Sequence, residues 1–322
     1  MVKDKNKTAE VMRWQIGDAP LDGLPVAAAI GNFDGVHKGH QALIAHARRA
    51  AKSAGLPLAV ICFSPHPRQY FQPDHAPFLL MDSHTKARLL ATQDVDIVIE
   101  IAFDAAVQTM SPETFVRDVL HTALDVRHLF AGGDFAFGKG RAGTVEFLQE
   151  SGQALGITVE SVSLVSSAKE GVISSTAIRQ ALQKPDLALA ESLLGRPHIL
   201  SGLVMEGDKR GRQLNFPTAN IELGDCIAPA FGVYAVTAEL ETENGEARQL
   251  AGVANIGKRP TVNDRGILAE AHLFDFAEDI YGQRLSLNLH SFIRPEKKFD
   301  GLEALTAQIA RDVASARHIL DV

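Results

Sequence analysis

Residues 26–42 read VAAAIGNFDGVHKGHQA, and this stretch decides the fold of the first half of the chain. Its apolar run predicts a buried strand, and the alanine-rich sequence after it predicts a helix. Between the two lie several glycines and two histidines in the spacing H-x-x-H, His37 and His40. Backbone N–H groups at the start of a helix can face an anion when glycines let the ligand approach. The stretch therefore predicts a site for a charged ligand.

The first half of the chain repeats this alternation of short apolar runs with helical patterns. The runs PLAVICF, VDIVIEIAF and HLFAGG are separated by amphipathic segments up to about residue 195. Continuous apolar strands between helices predict a doubly wound α/β domain, with a parallel sheet covered on both faces. Ligands bind such sheets beyond the carboxyl ends of the strands, where residues 31–40 are expected to lie.

From about residue 199 the pattern changes to strands with a period of two. HILSGLVMEG, FGVYAVTAELE, ARQLAGVANIG, LAEAHLFDF and QRLSLNLHSFI are joined by turn sequences such as ENGE. This pattern predicts an antiparallel barrel or sandwich, and the last twenty residues predict one amphipathic helix. We therefore expect two domains, residues 1–195 and 196–322. The first dozen residues show no structural pattern.

Composition restricts the partners of the chain. It has 322 residues, 46% of them hydrophobic, and a formal net charge of −7, which argues against bulk binding to nucleic acid or to an anionic membrane. The N-terminal segment has no apolar signal core, and the longest apolar runs are too short to span a bilayer. Two distant cysteines, Cys62 and Cys226, predict a reducing cytoplasm and no disulfide. The oligomeric state is not predicted.

Residues 31–40 are the first candidate site. Three glycines would let the backbone approach phosphate oxygens: Gly31, Gly35 and Gly39. His37 and His40 would direct ring N–H groups at the negative charge that develops on a transferred phosphoryl group. A metal site formed by Asp34, His37 and His40 is a lower-ranked alternative, because no other His or Cys cluster lies close in sequence. A Gly-rich connection without function is the remaining alternative.

Residues 170–183, EGVISSTAIRQALQ, form a second phosphate-binding pattern. Ser174, Ser175 and Thr176 stand at a helix start, and Arg179 follows one turn later. Hydroxyl and N–H groups there suit phosphate oxygens, and arginine adds a fork-shaped charge. Taken alone, the segment is equally explained by an ordinary Ser/Thr helix cap.

Together the two segments resemble the nucleotidylyltransferase domain of bacterial FAD synthetases. GNFDGVHKGH is similar to the G-x-F-D-x-x-H-x-G-H motif of that superfamily, and ISSTAIR to the I-S-S-T-x-I-R motif of its flavin branch. The resemblance implies a Rossmann-like sheet, catalytic roles for His37 and His40, and transfer of AMP from ATP to FMN with Mg²⁺. The nucleotide contacts that it implies are Gly31, Phe33, Asp34, Gly35, Gly39, Ser175, Thr176 and Arg179.

The same resemblance covers CFSPHPRQYF, residues 62–71, and GGDFAFGKGRAG, residues 132–143. In this family these loops help to hold the flavin end of FMN, and aromatic rings offer flat apolar surface for an isoalloxazine ring. The implied flavin contacts are Phe63, Pro65, His66, Phe71, Asp134 and Phe135. We expect one or two of the rings of Phe63, Phe71, Phe135 and Phe137 to pack in the core instead.

Residues 202–223, GLVMEGDKRGRQLNFPTANIEL, are the second unusual stretch. A flexible basic loop can wrap a triphosphate, and its candidates are Gly207, Lys209, Gly211 and Arg212. Thr218 and Asn220 stand two apart in an extended segment, so both face one way and offer hard oxygen ligands for Mg²⁺. A turn fixed by Pro217 is the alternative explanation.

GRQLNFPTAN resembles the G-R-x-L-G-F-P-T-A-N motif of riboflavin kinases. GVYAV, GVANIGKRPT, EAHLFDF, DIYGQ and FIRPEKKF follow in the order of that family. Asn215 replaces the usual glycine, and we expect the loop to keep its path because asparagine tolerates a positive φ. The resemblance implies that Thr218 and Asn220 hold Mg²⁺ with ATP.

The resemblance further implies that Glu270 is the general base for the 5′-hydroxyl of riboflavin. It also implies that Arg294 contacts flavin or phosphate, and an ordinary surface arginine is the alternative. His272 shares a strand face with Glu270 and is expected to be structural. The chain is therefore expected to be a bifunctional riboflavin kinase/FAD synthetase with the substrates riboflavin, FMN and ATP. The alternatives are a nucleotidylyltransferase for another acceptor, with a barrel that only binds, and a non-enzymatic flavin sensor or carrier.

Overall fold

The computed structural model describes residues 9–21, 24–163, 166–167, 171–206, 216–241, 247–258 and 266–322. The chain forms two compact units. The first consists of Met1–His75 with Ser83–Ile173, and the second of Ala76–Asp82 with Ser174–Val322. The limits of these units do not coincide with the predicted domain boundary between residues 195 and 196. That boundary stays a prediction about where the two functions divide.

The first unit contains a parallel sheet of six strands. They are β1 (Glu10–Trp14), β2 (Val26–Ile30), β3 (Leu58–Ser64), β4 (Ile97–Ala102), β5 (Val126–Gly132) and β6 (Thr158–Val162). Their order is β1-β4-β3-β2-β5-β6, with parallel pairing throughout, which confirms the predicted sheet. From β2 the chain adds β3 and β4 on one side of the sheet and then β5 and β6 on the other side. The turn after β2 therefore lies at the point where doubly wound sheets bind ligands.

Helices connect these strands. They are α1 (Lys38–Ala54), α2 (Pro67–Phe71), α3 (Ser83–Ala91), α4 (Ala105–Thr109), α5 (Pro112–Thr114) and α6 (Val145–Ala154), with a π-helix Phe115–Ala123, a 3₁₀ helix Lys139–Arg141 and a small ladder of β7 (Ser166–Ser167) and β8 (Gly171–Val172). Ser111 caps α5 by accepting a hydrogen bond from the backbone N–H of Thr114, and α1 ends at Gly55 with φ 66°.

The strand β1 was not predicted from the sequence. It pairs with β4 at the edge of the sheet, and only Trp14 among its five residues is fully buried. An edge strand that is mostly exposed needs no continuous apolar run. Its sequence, EVMRW, therefore lacks the signal that identified the central strands.

The second unit is built around a closed antiparallel barrel. Its strands are β9 (His198–Met205), β10 (Ala219–Glu222), β11 (Gly232–Glu241), β12 (Ala247–Lys258), β13 (Ile267–Leu273) and β14 (Arg284–Pro295), and its helices are α7 (Ser175–Gln183), α8 (Leu187–Leu194) and α9 (Leu302–Leu320). The closed order β10-β13-β12-β11-β14-β9 confirms a barrel and excludes a sandwich. The helix α9 covers the outer face, where Ala316 joins an apolar cluster with Val233, Ala235 and Val253.

Both cysteines of the chain are buried thiols outside any disulfide, Cys62 in β3 and Cys226 in the second unit. Burial is the main cause that raises the pKa of the Cys62 thiol, so its reactive thiolate form is disfavoured. Within the part of the chain that the structure describes, no helix is both long and apolar enough to cross a membrane.

His198 at the start of β9 is a buried titratable group. It is 2% exposed, and its Nε2 has no hydrogen-bond partner among the described residues. Burial and the neighbouring positive charge of Arg196 lower the pKa of His198 to about 3. Between that value and the ordinary value of 6.5, the unfolded chain binds the proton and the folded chain does not. The stability that His198 contributes is therefore complete above pH 6.5 and is lost as the pH falls through this window.

Replacing His198 by Leu is expected to make the stability of the protein less sensitive to acid. Between pH 6 and pH 4, the free energy of unfolding of the wild type should fall by about 1.4 kcal/mol more per pH unit than that of the variant. Urea denaturation at several pH values measures both slopes. The substitution His318→Leu, on an exposed position of α9, should keep the wild-type slope. Equal slopes for wild type and His198→Leu would refute the assignment.

Candidate functional site

The turn after β2 has an unusual backbone. Phe33, Gly35 and Val36 have positive φ angles of 51°, 90° and 41°. Two of these residues are not glycine, and such conformations persist only where the surroundings hold them. Gln41 in α1 holds this turn, because its Nε2 donates a hydrogen bond of 2.8 Å to the Val36 carbonyl. A strained turn that is held this way is typical of a ligand-binding segment.

His37 caps α1 with its ring. Its Nδ1 accepts a hydrogen bond of 3.3 Å from the backbone N–H of His40. A ring nitrogen that accepts carries no hydrogen, so the proton of neutral His37 is on Nε2. The rings of His37 and His40 are stacked, with their centroids 3.6 Å apart and an angle of 15° between their planes. The cap therefore fixes both the tautomer of His37 and the relation between the two rings.

His40 is held between His37 and the fully buried ring of Phe33, whose centroid lies 5.0 Å away. Its Nδ1 is buried and has no hydrogen-bond partner among the described residues. Burial and the adjacent His37 lower the pKa of His40 well below its usual range. His40 is therefore neutral near pH 7, and each of the two rings then has one N–H group to donate.

Within the first unit, Gly39 lies close to Ile173. A Cβ on Gly39 would lie 3.7 Å from the carbonyl oxygen of Ile173, the first residue of ISSTAIR. The same Cβ would lie 3.1 Å from atoms of the His37 ring, which is closer than side chains normally allow. Glycine at position 39 thus permits the close approach of two segments that are far apart in the sequence.

The other residues of ISSTAIR belong to the second unit. Ser174 is the N-cap of α7, since its hydroxyl accepts a hydrogen bond from the backbone N–H of Ala177. Arg179 donates from Nε to the Phe78 carbonyl at 2.7 Å, and its guanidinium lies over the Phe78 ring. The orientation of Arg179 is thereby fixed by a residue about one hundred positions earlier in the chain.

The remaining nucleotide candidates differ in exposure. Phe33 is completely buried and supports His40, and Asp34 is also buried. Gly31 donates its N–H to the Ile61 carbonyl. Ser175 is partly exposed and Thr176 is exposed at the first turn of α7. The nucleotide contacts of all these residues stay predictions.

Aromatic rings gather at the carboxyl ends of β3 and β4. Phe103, directly after β4, makes edge contacts with Phe63, Tyr70 and Phe71, with centroid distances of 5.7, 5.3 and 5.8 Å. Phe71 is 57% exposed, an unusual state for a phenylalanine. The sequence analysis missed Phe103 and Tyr70. An aromatic residue at the carboxyl end of a predicted central strand is the signal that would have indicated Phe103.

The other flavin candidates occupy turns near these rings. Phe137 is buried in the core, as expected for one of the aromatic candidates, and Phe135 stacks on it. His66 caps α2 by accepting from the backbone N–H of Arg68 at 3.1 Å, so its ring has a structural role. Pro65 and Asp134 are exposed. Contacts of these residues with flavin stay predictions.

In the barrel, strand register brings the kinase candidates together. Asn220 in β10 stands directly opposite Glu270 in β13, and Asn255 in β12 stands opposite Glu270 on its other side. Opposite residues of antiparallel strands project to the same face, with Cβ atoms about 4.5–5.5 Å apart. Asn220 is 6% exposed, whereas Glu270 is exposed. The barrel thus presents two amides on either side of a carboxylate, and the sequence analysis missed Asn255.

A cavity of about 510 Å³ lies beside Thr218 in the same unit. Its wall joins two family motifs, because Pro217 and Thr218 come from NFPTAN and Asp279, Ile280 and Tyr281 from DIYGQ. Cavities of roughly 300–1,000 Å³ are typical of small-molecule sites. The cavity can therefore hold part of a nucleotide or flavin.

Arg294 forms a partly buried ion pair with Asp312 of α9. Its Nη2 lies 2.7 Å from Asp312 Oδ2, and its Nη1 donates to the Pro295 carbonyl. These bonds give Arg294 a structural role, and its contact with flavin stays a prediction. Five loop residues discussed above lie outside the described residues: Gly207, Lys209, Gly211, Arg212 and Asn215.

Among the residues that the structure describes, no group of three or more His, Cys, Asp or Glu side chains is arranged to hold a metal ion. The alternative metal site at Asp34, His37 and His40 therefore has no support. Thr218 and Asn220 are donors of another kind, a hydroxyl and an amide oxygen. Such donors suit Mg²⁺, which binds few protein groups and keeps oxygen ligands from phosphates and water.

Comparison with known protein families agrees with this architecture. The FAD synthetase model matches residues 22–177, and the riboflavin kinase model matches residues 194–320. A parallel sheet followed by a closed barrel, with these two matches, defines a two-domain transferase that acts on flavins.

Full-length relatives extend the match to almost the whole chain. The bifunctional riboflavin kinase/FMN adenylyltransferase of Escherichia coli (strain K12) is 43% identical over 303 residues, 94% of each chain. The protein of the same name from Bacillus subtilis (strain 168) is 38% identical over 295 residues, 89% of this chain and 90% of its own. The chain belongs to the family of bifunctional riboflavin kinases/FMN adenylyltransferases, enzymes of flavin cofactor biosynthesis.

A solved structure has the same fold. It is titled a macrolide-efflux protein from Streptococcus pneumoniae, is 29% identical, and superimposes with a TM-score of 0.79 over 95% of this chain and 98% of its own. Efflux is said of that protein only. Its likeness supports the architecture of this chain, and the sequence relatives determine the family.

Proposed function

We propose that the barrel phosphorylates riboflavin to FMN and that the α/β unit adenylylates FMN to FAD, each with one ATP. The observation that carries this proposal is the register of β10 and β13. It pairs Asn220 with Glu270 across neighbouring strands, although the two residues are fifty positions apart in the sequence. A metal-binding amide beside a carboxylate base is what transfer of a phosphoryl group to a hydroxyl requires.

In the kinase reaction, Glu270 is the general base. Its carboxylate accepts the proton of the riboflavin 5′-hydroxyl as the new O–P bond forms at the γ-phosphorus and the bond to ADP breaks. Thr218 and Asn220 hold Mg²⁺, which neutralises phosphate charge when it is bound. We assign the cavity beside Thr218 to the ATP of this reaction. The ring of Tyr281 in its wall offers a surface on which a base can stack.

In the adenylyl transfer, a phosphate oxygen of FMN attacks the α-phosphorus of ATP and pyrophosphate leaves. His37, the N-cap of α1, and His40, in the first turn of that helix, donate one N–H group each to phosphate oxygens. Neutral rings serve here because the task is to stabilise developing negative charge, not to transfer a proton. No covalent intermediate is needed, so positioning and electrostatics account for the rate.

The aromatic group at the ends of β3 and β4 is proposed to receive the flavin ring of FMN. Phe71 is exposed, and the rings of Phe103 and Tyr70 make edge contacts with it. An exposed aromatic ring that is fixed by edge contacts can stack on an isoalloxazine without first losing mobility. This assigns Phe71 as a direct contact and Phe103 as its support.

Replacing Asn255 by Ala is expected to lower the kcat of riboflavin phosphorylation about tenfold, an effect of about 1.4 kcal/mol. The reason is that the substitution removes the amide that stands opposite the base in the neighbouring strand. FMN adenylylation should not change. Gln249→Ala, which removes an exposed amide from the same strand, is the matched control. Steady-state kinetics with each flavin measure both reactions. A kinase rate within twofold of the wild type for Asn255→Ala would remove Asn255 from the site.

Incubation of the full-length protein with riboflavin, ATP and Mg²⁺, followed by separation of the flavins, tests the proposed function. We expect FMN to form first and FAD to follow, with one pyrophosphate released per FAD. FAD from supplied FMN without any FMN from riboflavin would favour an adenylyltransferase with a binding barrel. Flavin binding without consumption of ATP would favour a carrier.

We also infer a cytoplasmic location and small-molecule partners, with no binding to nucleic acid or to a membrane. The inference rests on the net charge of −7 and on two buried thiols, which suit a reducing compartment. Fractionation of cells would test it.

A further inference from the structure

Strand β13 carries a second side chain whose contact reaches the kinase site. His272 stands two residues after Glu270, on the same face of the strand. Its Nδ1 lies 2.9 Å from the carbonyl oxygen of Pro217. A carbonyl oxygen can only accept, so His272 donates this hydrogen bond from Nδ1–H.

The hydrogen bond acts on the segment that contains the proposed metal ligands. Phe216, Pro217 and Thr218 precede β10, whose ladder with β13 begins at Ala219. These three residues are therefore outside the regular pairing that fixes the strand. Thr218 follows the anchored carbonyl directly, so the direction of its hydroxyl depends on the peptide that His272 holds.

Aromatic contacts fix the ring of His272 itself. The ring of Phe216 meets it edge-on with a centroid distance of 5.3 Å, and the ring of Phe274 does so at 6.1 Å. The imidazole is also partly buried. A donor that is held on two sides sets the position of its acceptor more sharply than a mobile side chain can.

We propose that His272 is a positioning residue of the kinase reaction, which sets Thr218 and Asn220 for Mg²⁺–ATP through the carbonyl of Pro217. The proposal rests on the assignment of these two ligands under the proposed function. Strand β13 then acts on both substrates of the reaction. It carries Glu270 for the hydroxyl of riboflavin, and through His272 it holds the segment that receives the triphosphate.

Two substitutions in the full-length protein distinguish loss of the hydrogen-bond donor from a change in the size of the side chain. His272→Leu keeps an apolar side chain of similar size and removes the donor. His272→Asn keeps an N–H donor close to the position of Nδ1. His290→Leu is the matched control, because His290 is a partly buried histidine of the same barrel with a hydrogen bond of 2.8 Å to Thr237.

We expect His272→Leu to raise the KM for Mg²⁺–ATP in riboflavin phosphorylation about tenfold, with less than a threefold change in the KM for riboflavin. His272→Asn should stay within about threefold of the wild type for both constants. FMN adenylylation by the same preparations should be unchanged, which shows that the α/β unit is folded, and the nearly unchanged KM for riboflavin shows that the barrel is folded. His290→Leu should behave as the wild type does.

A binding measurement gives a second readout. Calorimetric titration with ADP, with and without Mg²⁺, in the background His37→Ala/His40→Ala should show about tenfold weaker Mg²⁺-dependent binding for His272→Leu and none of this loss for His272→Asn. Equal damage by Asn and Leu, equal effects on both substrates, or no effect of Leu would each overturn the proposal. A wild-type protein that makes no FMN would instead refute the proposed function.

Discussion

Replacement of Glu270 by Gln is expected to lower the rate of FMN formation by about 10²–10⁴-fold, because an amide cannot accept the proton of the attacking hydroxyl. The substitution preserves the size of the side chain and its place opposite Asn220 and Asn255. Adenylylation of supplied FMN should proceed at the wild-type rate, since the residues assigned to it lie elsewhere in the chain. Separate assays with riboflavin and with FMN measure the two reactions.

Glu222→Gln is the matched control for this prediction. Glu222 is an exposed carboxylate on β10, two residues after Asn220 and on the same face of the strand. It should leave both activities unchanged. Loss of both activities in folded Glu270→Gln would mean that the two reactions are not separate, and the assignment of Glu270 to the kinase alone would then be wrong.

Replacement of both His37 and His40 by Ala is expected to have the reverse effect. Loss of one preorganised donor to developing charge commonly costs about 10²–10³-fold in rate, so the double variant should lose at least about 10³-fold in FAD formation. Riboflavin phosphorylation should remain. The measurement is again the separate assay of the two steps, at saturating ATP.

The single variants refine this expectation. His37→Ala also removes the cap of α1, whereas His40→Ala removes only a ring that stacks on His37 and makes a tilted contact with Phe33. We therefore expect a lower thermal stability only for His37→Ala. His46→Ala, which changes a half-exposed histidine of the same helix, is the control and should keep both activities. A double variant with wild-type FAD formation would exclude both rings from the reaction.

Much of the fold follows from local sequence patterns. The apolar runs of β2, β3 and β4 predicted a parallel sheet, and the period of two after residue 199 predicted the barrel strands. Strand β1 was not identified because it is mostly exposed, and β10 was not identified because it has only four residues. Each of them pairs with a partner distant in sequence. Short segments with little periodicity become strands only when a neighbouring strand supplies their hydrogen bonds.

The candidate sites were predictable in chemistry but not in geometry. The motif residues His37, His40, Thr218, Asn220 and Glu270 were recognisable by type and spacing. The roles of their neighbours were not, because they arise from contacts across many residues. Asn255 enters the site only through the register of β12 and β13, and Phe103 enters only because β3 and β4 are adjacent.

The sequence by itself determined the order of the central strands and main helices, the resemblance to the family, and the kinds of side chain at each site. These properties depend on local periodicity, on glycines that permit a turn, and on motifs that are contiguous in the chain. Only the tertiary structure decided that Asn220 and Asn255 flank Glu270, that His272 holds Pro217, and that burial keeps His40 neutral. Register, hydrogen-bond partners and pKa shifts arise when distant segments pack together and exclude water, and no short stretch of sequence contains that information.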